Sequence, residues 1–276
     1  APAAPLRCVE ACGHDCLRVS LPVVPSSAEP ELTVRGGVWV VPRLAAAVGL
    51  EPAVRLQLPA RGAVTNLRLE LQPPRIPAPP WFGAEVRVRA AALNFRDVLN
   101  VLGEYPGEPG PPGGDSAGEV VATGEGVAHV GAGDAVLGWA HAPLAHAAGA
   151  DARLLGKKPA ALSFEAACTL PTVWCTVNLA FGRAGLRTGH DALVHATAGG
   201  IGLAAIEHAH WLRVGVTGSA GRPHKHALLG RQGVLQMLGS RDGGACAGGG
   251  VAQRGGLRLR LVLNSLSLDF ISASAA

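Results

Sequence analysis

With 276 residues, the chain has room for one large or two ordinary domains with a substantial core. The net charge is only +4 and charged residues make up 16%; the cations are scattered, with no basic run interleaved with aromatics, which argues against nucleic-acid binding. No apolar run reaches the roughly 18 residues of a membrane span. The first residues also lack the basic-then-apolar order of a secretion signal, so a cytoplasmic location without a membrane partner is expected.

The first 30 residues hold Pro2, Pro5, Pro22, Pro25 and Pro30 among small residues, and residues 1–50 read as a linker or the end of a preceding domain. The missing initiator Met adds the expectation that the chain was cut from something larger. Cys8, Cys12, His14 and Cys16 cluster here, but their spacing matches no zinc pattern and no Cys-x-x-Cys occurs, so no metal is expected. Cys168, Cys175 and Cys246 read as incidental thiols of a reducing compartment. Glu31–Leu44 looks like two short strands around Gly36-Gly37. A second proline cluster, from Pro73 to Pro80, precedes the next ordered block.

Ala84–Ala90 alternates cleanly and predicts a strand with one wet face. A helix follows, with Asn94 as cap, Asp97 in its first turn and Gly103 at its end. Ser116–Ala122 and Ala135–Leu137 predict further strands, giving a β-rich domain over residues 51–160. After Pro159 the pattern changes. Ser163 predicts the cap of a helix that Pro171 interrupts.

Ala192–Ile206 then reads as a buried strand, a glycine turn and a small-residue helix. Gly199 lets backbone approach a pyrophosphate, Gly202 lets the helix pack close to the strand, and the free N–H groups of the helix start face the phosphates. Ala198, Gly199, Gly200, Ile201 and Gly202 are therefore the candidate phosphate cradle. The turn departs from G-x-G-x-x-G, because Thr197 stands at the first glycine. Val214–Gly218 predicts the second parallel strand, Gly233–Leu238 a third and Leu259–Asn264 a later one, in right-handed βαβ connection. Thr217-Gly-Ser-Ala-Gly-Arg222 carries no carboxylate to bind a ribose 2′-hydroxyl. Ser219, Arg222 and the nearby Lys225 favour the 2′-phosphate of NADPH instead; the other reading of Arg222 is a solvated loop cation. His195 reads as an inward histidine satisfied by backbone, and His224 and His226 as solvated.

Leu93-Asn-Phe-Arg-Asp-Val98 with Gly103-Glu-Tyr-Pro-Gly107 resembles the enoyl reductase domain of modular polyketide synthases and animal fatty acid synthase, within the medium-chain dehydrogenase/reductase superfamily. Gly113-Gly-Asp-Ser-Ala-Gly118, Gly133–Gly138, His195–Gly202, Ser240-Arg-Asp242 and Val262-Leu-Asn-Ser-Leu266 match in the same order. The resemblance implies an α/β fold: a GroES-like β-rich substrate domain over 51–160 and a partial Rossmann NADPH domain over 161–276. It implies NADPH-dependent reduction of a trans-2-enoyl thioester carried on acyl carrier protein, among the other domains of a multifunctional synthase, with homodimers common in the family. It also implies site roles. Tyr105 matches a tyrosine placed over the α-carbon, against the alternative of a turn residue packing on Pro106. Lys225 and Asp242 match a proton-donating pair, here closer in sequence than in relatives, against the alternative of a surface ion pair. Thr176 and Asn264 match positions lining the nicotinamide. Asn94 either contacts that region or merely caps its helix. Zinc-dependent relatives carry a ligand His where Gly114 stands, so no metal is implied.

The expected Rossmann order is 3-2-1-4-5-6. The chain supplies strands up to the fourth, and Gly243–Gly250 is too glycine-rich for a stable helix. A truncated or decayed synthase segment is the resulting expectation. Two other readings stay open: a quinone-oxidoreductase-like enzyme and an inactive structural segment.

Overall fold

The computed structural model describes residues 8–11, 31–35, 38–40, 53–73, 82–239 and 259–264. The chain divides into two compact units, Ala1–Glu51 and Pro52–Ala276. In the first, β1 (Cys8–Ala11) runs parallel to β2 (Glu31–Arg35), which pairs antiparallel with β3 (Val38–Val40). The two strands expected here pair with Arg35 opposite Val38. Residues 8–11 form a strand, which the sequence pattern did not indicate. Their partner starts at Glu31, too far along the chain for a local pattern to reveal it. Cys12, His14 and Cys16 lie outside the described residues.

The second unit opens with an antiparallel pair, β4 (Val54–Gln57) and β5 (Arg68–Leu71). A five-stranded antiparallel sheet follows: β6 (Gly83–Ala91), β7 (Asp115–Thr123), β8 (Ala135–Trp139), β9 (Ala147–Asp151) and β10 (Leu155–Lys157), in the order β10-β8-β7-β6-β9. The alternation of β6 buries Ala84 and Val86 against Val120, Val136, Ala148 and Ala150, and leaves Arg87 exposed. Helix α1 (Phe95–Val101) joins β6 to β7, with Asn94 as its N-cap.

Two helices follow. In α2 (Phe164–Cys168), Ser163 Oγ accepts from the Ala166 N–H. Pro171 does not break this helix. It begins α3 (Pro171–Ala184), where its missing N–H costs nothing, and Gly185 ends α3 in the left-handed region at φ 60°. The parallel sheet then holds β11 (Asp191–Val194), β12 (Gly215–Ala220), β13 (Gln236–Gly239) and β14 (Leu259–Leu263), in the order β13-β12-β11-β14. Helices α4 (Gly200–Leu212) and α5 (Pro223–Arg231) make the crossovers. Read by strand number this is 3-2-1-4, the expected order. Val177, Phe181, Ala205, Ile206, Ala209 and Val216 pack the core between sheet and helices. The fold class is α/β, an antiparallel sheet plus a parallel sheet covered by helices. Among the described residues no helix is long and apolar enough to cross a membrane.

Candidate active site

The glycine turn leaves β11 through Ala196, whose backbone is left-handed at φ 48°. Thr197 follows, fully buried, and does work that a glycine at this position would not do. Its hydroxyl donates to Val194 O at 2.6 Å and accepts the Ser219 N–H at 2.8 Å, while its own N–H donates to Ser219 O at 3.0 Å. The departure from the glycine pattern therefore stitches β11 to β12 directly behind the turn. A Cβ on Gly202 would stand 2.3 Å from Thr197 O, so α4 packs against this stitch only with glycine there. Gly199 and Gly200 are exposed, and no side chain caps α4. Its leading amides are thus available to an anion, reinforced by the positive end of the helix. This surface fits the pyrophosphate of a dinucleotide.

Strand β12 is longer than expected and takes in Ser219 and Ala220. Ser219 is corrected accordingly: it is fully buried, and its Oγ lies 3.1 Å from His195 Nδ1. It supports the turn from within the sheet instead of lying in the loop with Arg222. His195 is buried, and burial pushes its pKa below the ordinary histidine value. Arg222 occupies the N-cap position of α5 without a side-chain capping hydrogen bond, and Arg222, His224 and Lys225 are all exposed. His226 differs from its solvated reading: half-buried, its Nε2 lies 2.6 Å from Ala220 O and ties α5 to the end of β12. Asp242 lies outside the described residues.

Sequence reasoning missed the centre of the antiparallel side, Asp115. Only 1% exposed, it opens β7. Its Oδ1 accepts from Thr172 Oγ1 at 2.6 Å; its Oδ2 accepts from the Thr172 N–H and from Asn94 Nδ2, both at 3.1 Å. The Asn94 amide is thus bound to Asp115, while the Asn94 backbone N–H donates to Asp97 Oδ2 at 2.8 Å. One turn along α3, Thr176 Oγ1 donates to Thr172 O at 2.7 Å. The one available signal was a carboxylate at a strand start followed by an apolar run. A Cβ on Gly114 would fall 2.3 Å from Trp139 Nε1, so the indole fills the space a ligand side chain would need. A cavity of about 480 Å³ opens beside Asp115, lined by Trp139, Leu155, Pro171, Thr172 and Cys175. Asn264 directly follows β14.

Tyr105 is half-buried in the loop after α1. Its N–H donates to Leu99 O at 3.1 Å, and the Arg96 guanidinium lies over its ring, 5.3 Å from the centroid.

An antiparallel sheet is joined by a carboxylate network to the first helix of a parallel sheet, whose open amide turn is of the kind that receives a dinucleotide's phosphates. The model of the alcohol dehydrogenase GroES-like domain matches residues 83–175. The chain is 34% identical over 294 residues to the pikromycin polyketide synthase component PikAII of Streptomyces venezuelae; the match takes in 95% of this chain and 8% of that protein. The crystal structure of CurK enoyl reductase superposes with a TM-score of 0.71 at 30% identity, over 81% of this chain and 70% of that one. Mycobacterial Rv1454c complexed with NADPH gives a TM-score of 0.70 at 27% identity, over 80% and 69% of the two chains. The chain belongs to the medium-chain dehydrogenase/reductase family and is related to the enoyl reductase domains of polyketide synthases. Such relatives are parts of large multidomain synthases, of which this chain spans less than a tenth.

Proposed function

We propose that this chain reduces a trans-2-enoyl thioester held on an acyl carrier protein, within a multidomain polyketide synthase, and that it uses NADPH. In this reading residues 51–160 form the substrate domain and 161–276 the cofactor domain. The observation that carries it is the exposed turn at Gly199 and Gly200, with the cations Arg222 and Lys225 at the start of α5, which follows the next strand, and no acid among residues 217–225.

When bound, NADPH supplies a hydride for the β-carbon of the enoyl group. The residues of the chain divide the remaining work. The amides of Ala198, Gly200, Ile201 and Gly202 would hold the pyrophosphate, with Gly199 leaving room for its approach while its own N–H donates to Ala196 O, and Arg222 and Lys225 would take the 2′-phosphate through charge-assisted hydrogen bonds. Thr176, Asn264 and Asn94 border the nicotinamide, with Asn94 oriented by Asp115. Negative charge gathering on the thioester oxygen is relieved when Tyr105 protonates the α-carbon: the phenolic O–H bond breaks, a C–H bond forms, and water reprotonates the phenolate.

NADPH titrations of wild type and of Arg222→Ala/Lys225→Ala test the cofactor half. The double variant is expected to bind NADPH about tenfold or more weakly while NADH binding is unchanged, because only the phosphate contacts are lost. Equal wild-type affinity for the two cofactors would overturn it. Turnover tests the substrate half: a crotonyl pantetheine thioester should consume NADPH. Likeness to a quinone oxidoreductase from Coxiella burnetii, at 28% identity and a TM-score of 0.61, supports a second reading. Turnover of quinones without thioesters would select it.

A further inference from the structure

The loop that carries Tyr105 lies between Gly103 and Gly107, both left-handed at φ 77° and 71°. Glycines on either side make such a loop costly to order. Four hydrogen bonds nevertheless tie it down, and two more hold Pro109 and Gly110 just beyond it. Leu99 O accepts the N–H groups of Glu104 and Tyr105. Arg61 donates to Tyr105 O at 3.2 Å and to Gly107 O at 3.1 Å. Asn100 Nδ2, on the buried side of α1, donates to Gly110 O at 2.9 Å. Arg96 Nη2 donates to Pro109 O at 2.6 Å.

Arg96 differs from the other ties. The same guanidinium that bonds Pro109 O lies over the Tyr105 ring. A planar guanidinium can stack on an aromatic face while its edge donates, which a lysine cannot do. Leu99 and Asn100 bond only backbone, and Arg61 bonds backbone and pairs with the Glu108 carboxylate at 3.9 Å, whereas the Arg96 guanidinium lies on the phenol ring itself.

We propose that Arg96 is a positioning residue: it fixes the Tyr105 phenol on one side of the substrate and thereby decides which face of the α-carbon receives the proton. The proposal rests on the enoyl reductase reading and on Tyr105 as donor. If the ring turns away, solvent supplies the proton from either side and the new α-stereocentre becomes mixed.

The test uses the natural full-length polypeptide with a 2-methyl-branched trans-2-enoyl pantetheine thioester. The ratio of α-epimers is measured with kcat and the affinity for NADPH. Arg96→Ala is expected to lower kcat about tenfold and to mix the epimers, with NADPH affinity unchanged. Arg96→Lys keeps a cation but loses the planar fork, and should give a ratio between wild type and Arg96→Ala. A wild-type epimer ratio in Arg96→Ala overturns the proposal. Should that variant not fold, Arg96→Lys is read alone: a shifted ratio supports the proposal and an unshifted one overturns it. Tyr105→Phe separates the two levels. If it keeps the wild-type rate and ratio, Tyr105 is not the donor; if wild type leaves the thioester unreduced, the enoyl reductase reading itself falls.

Discussion

Gly202 is where one methyl group separates a working turn from a broken one. A Cβ there meets Thr197 O at 2.3 Å and Thr197 Cα at 2.5 Å, both backbone atoms that cannot swing aside. Gly202→Ala must push α4 off β11, at a cost of about 1–3 kcal/mol. The leading amides of α4 move with it, so NADPH affinity is expected to fall about tenfold or more, read by titration beside a urea melt. Gly182 is the control. It lies exposed in α3 with nothing within 4 Å of its would-be Cβ, so Gly182→Ala should stabilise the fold by about 0.5–1 kcal/mol without touching the cofactor. Equal effects of the two substitutions would show that the close approach is unimportant. The need for glycine at 202 was legible in the sequence, because only glycine meets a backbone so closely. The parts of Thr197 and Ser219 were not. A local pattern registers Thr197 as a missing glycine and Ser219 as a loop hydroxyl, whereas each finds its partner on the neighbouring strand.

At the scale of elements, Asp115 joins the start of β7 to the start of α3 and to the cap of α1. Asp115→Ala strips the acceptor from the Thr172 N–H, the Thr172 hydroxyl and the Asn94 amide in one buried place. A loss of about 3 kcal/mol is expected in urea unfolding. Thr172→Val removes only the hydroxyl contact and should cost about 1 kcal/mol. In a double-mutant cycle the two should be strongly non-additive; additive costs would mean that the carboxylate and the threonine act separately. Elements with their own signals were legible: alternating β6, apolar β11 and the Ser163-capped α2. Elements without one were not. Strand β9 reads Ala-Ala-Gly-Ala-Asp, a poor strand former that pairing with β6 holds in place. Helix α5 carries little apolar periodicity and relies on Pro223 at its start and Leu229 in the core. Pro171 was seen as a stop, because the pattern alone does not say on which side of a proline a helix lies.

At the scale of the whole molecule, two buried histidines couple stability to pH. His195 lies under the turn beside Ser219, and His208 on α4 sits among the rings of Trp174, Phe181 and Trp211, at centroid distances of 5.8, 5.2 and 5.4 Å. Burial lowers both pKa values below the ordinary one, because the charged imidazolium loses its water. In the unfolded chain each returns to about 6.5. Below that pH the unfolded state binds more protons than the folded state, so stability falls as the pH falls; above it the contribution is complete and flat. Each histidine adds a slope of at most about 1.4 kcal/mol per pH unit. The carboxyls of Asp134 and Asp151 are held below the usual range by hydrogen bonds from Lys157 and Arg153. Their contribution is lost only as the pH falls through their own lower values, from about 4 downwards, so the interval between pH 5 and 6.5 belongs to the histidines. Urea midpoints measured from pH 8 to pH 5 should stay level to about pH 7 and then decline. His208→Phe keeps an aromatic ring in the cluster and removes the titration, so its decline should be about half as steep. An unchanged slope in that variant would mean that His208 is protonated as readily in the folded chain as in water, and that its ring cluster is open to solvent.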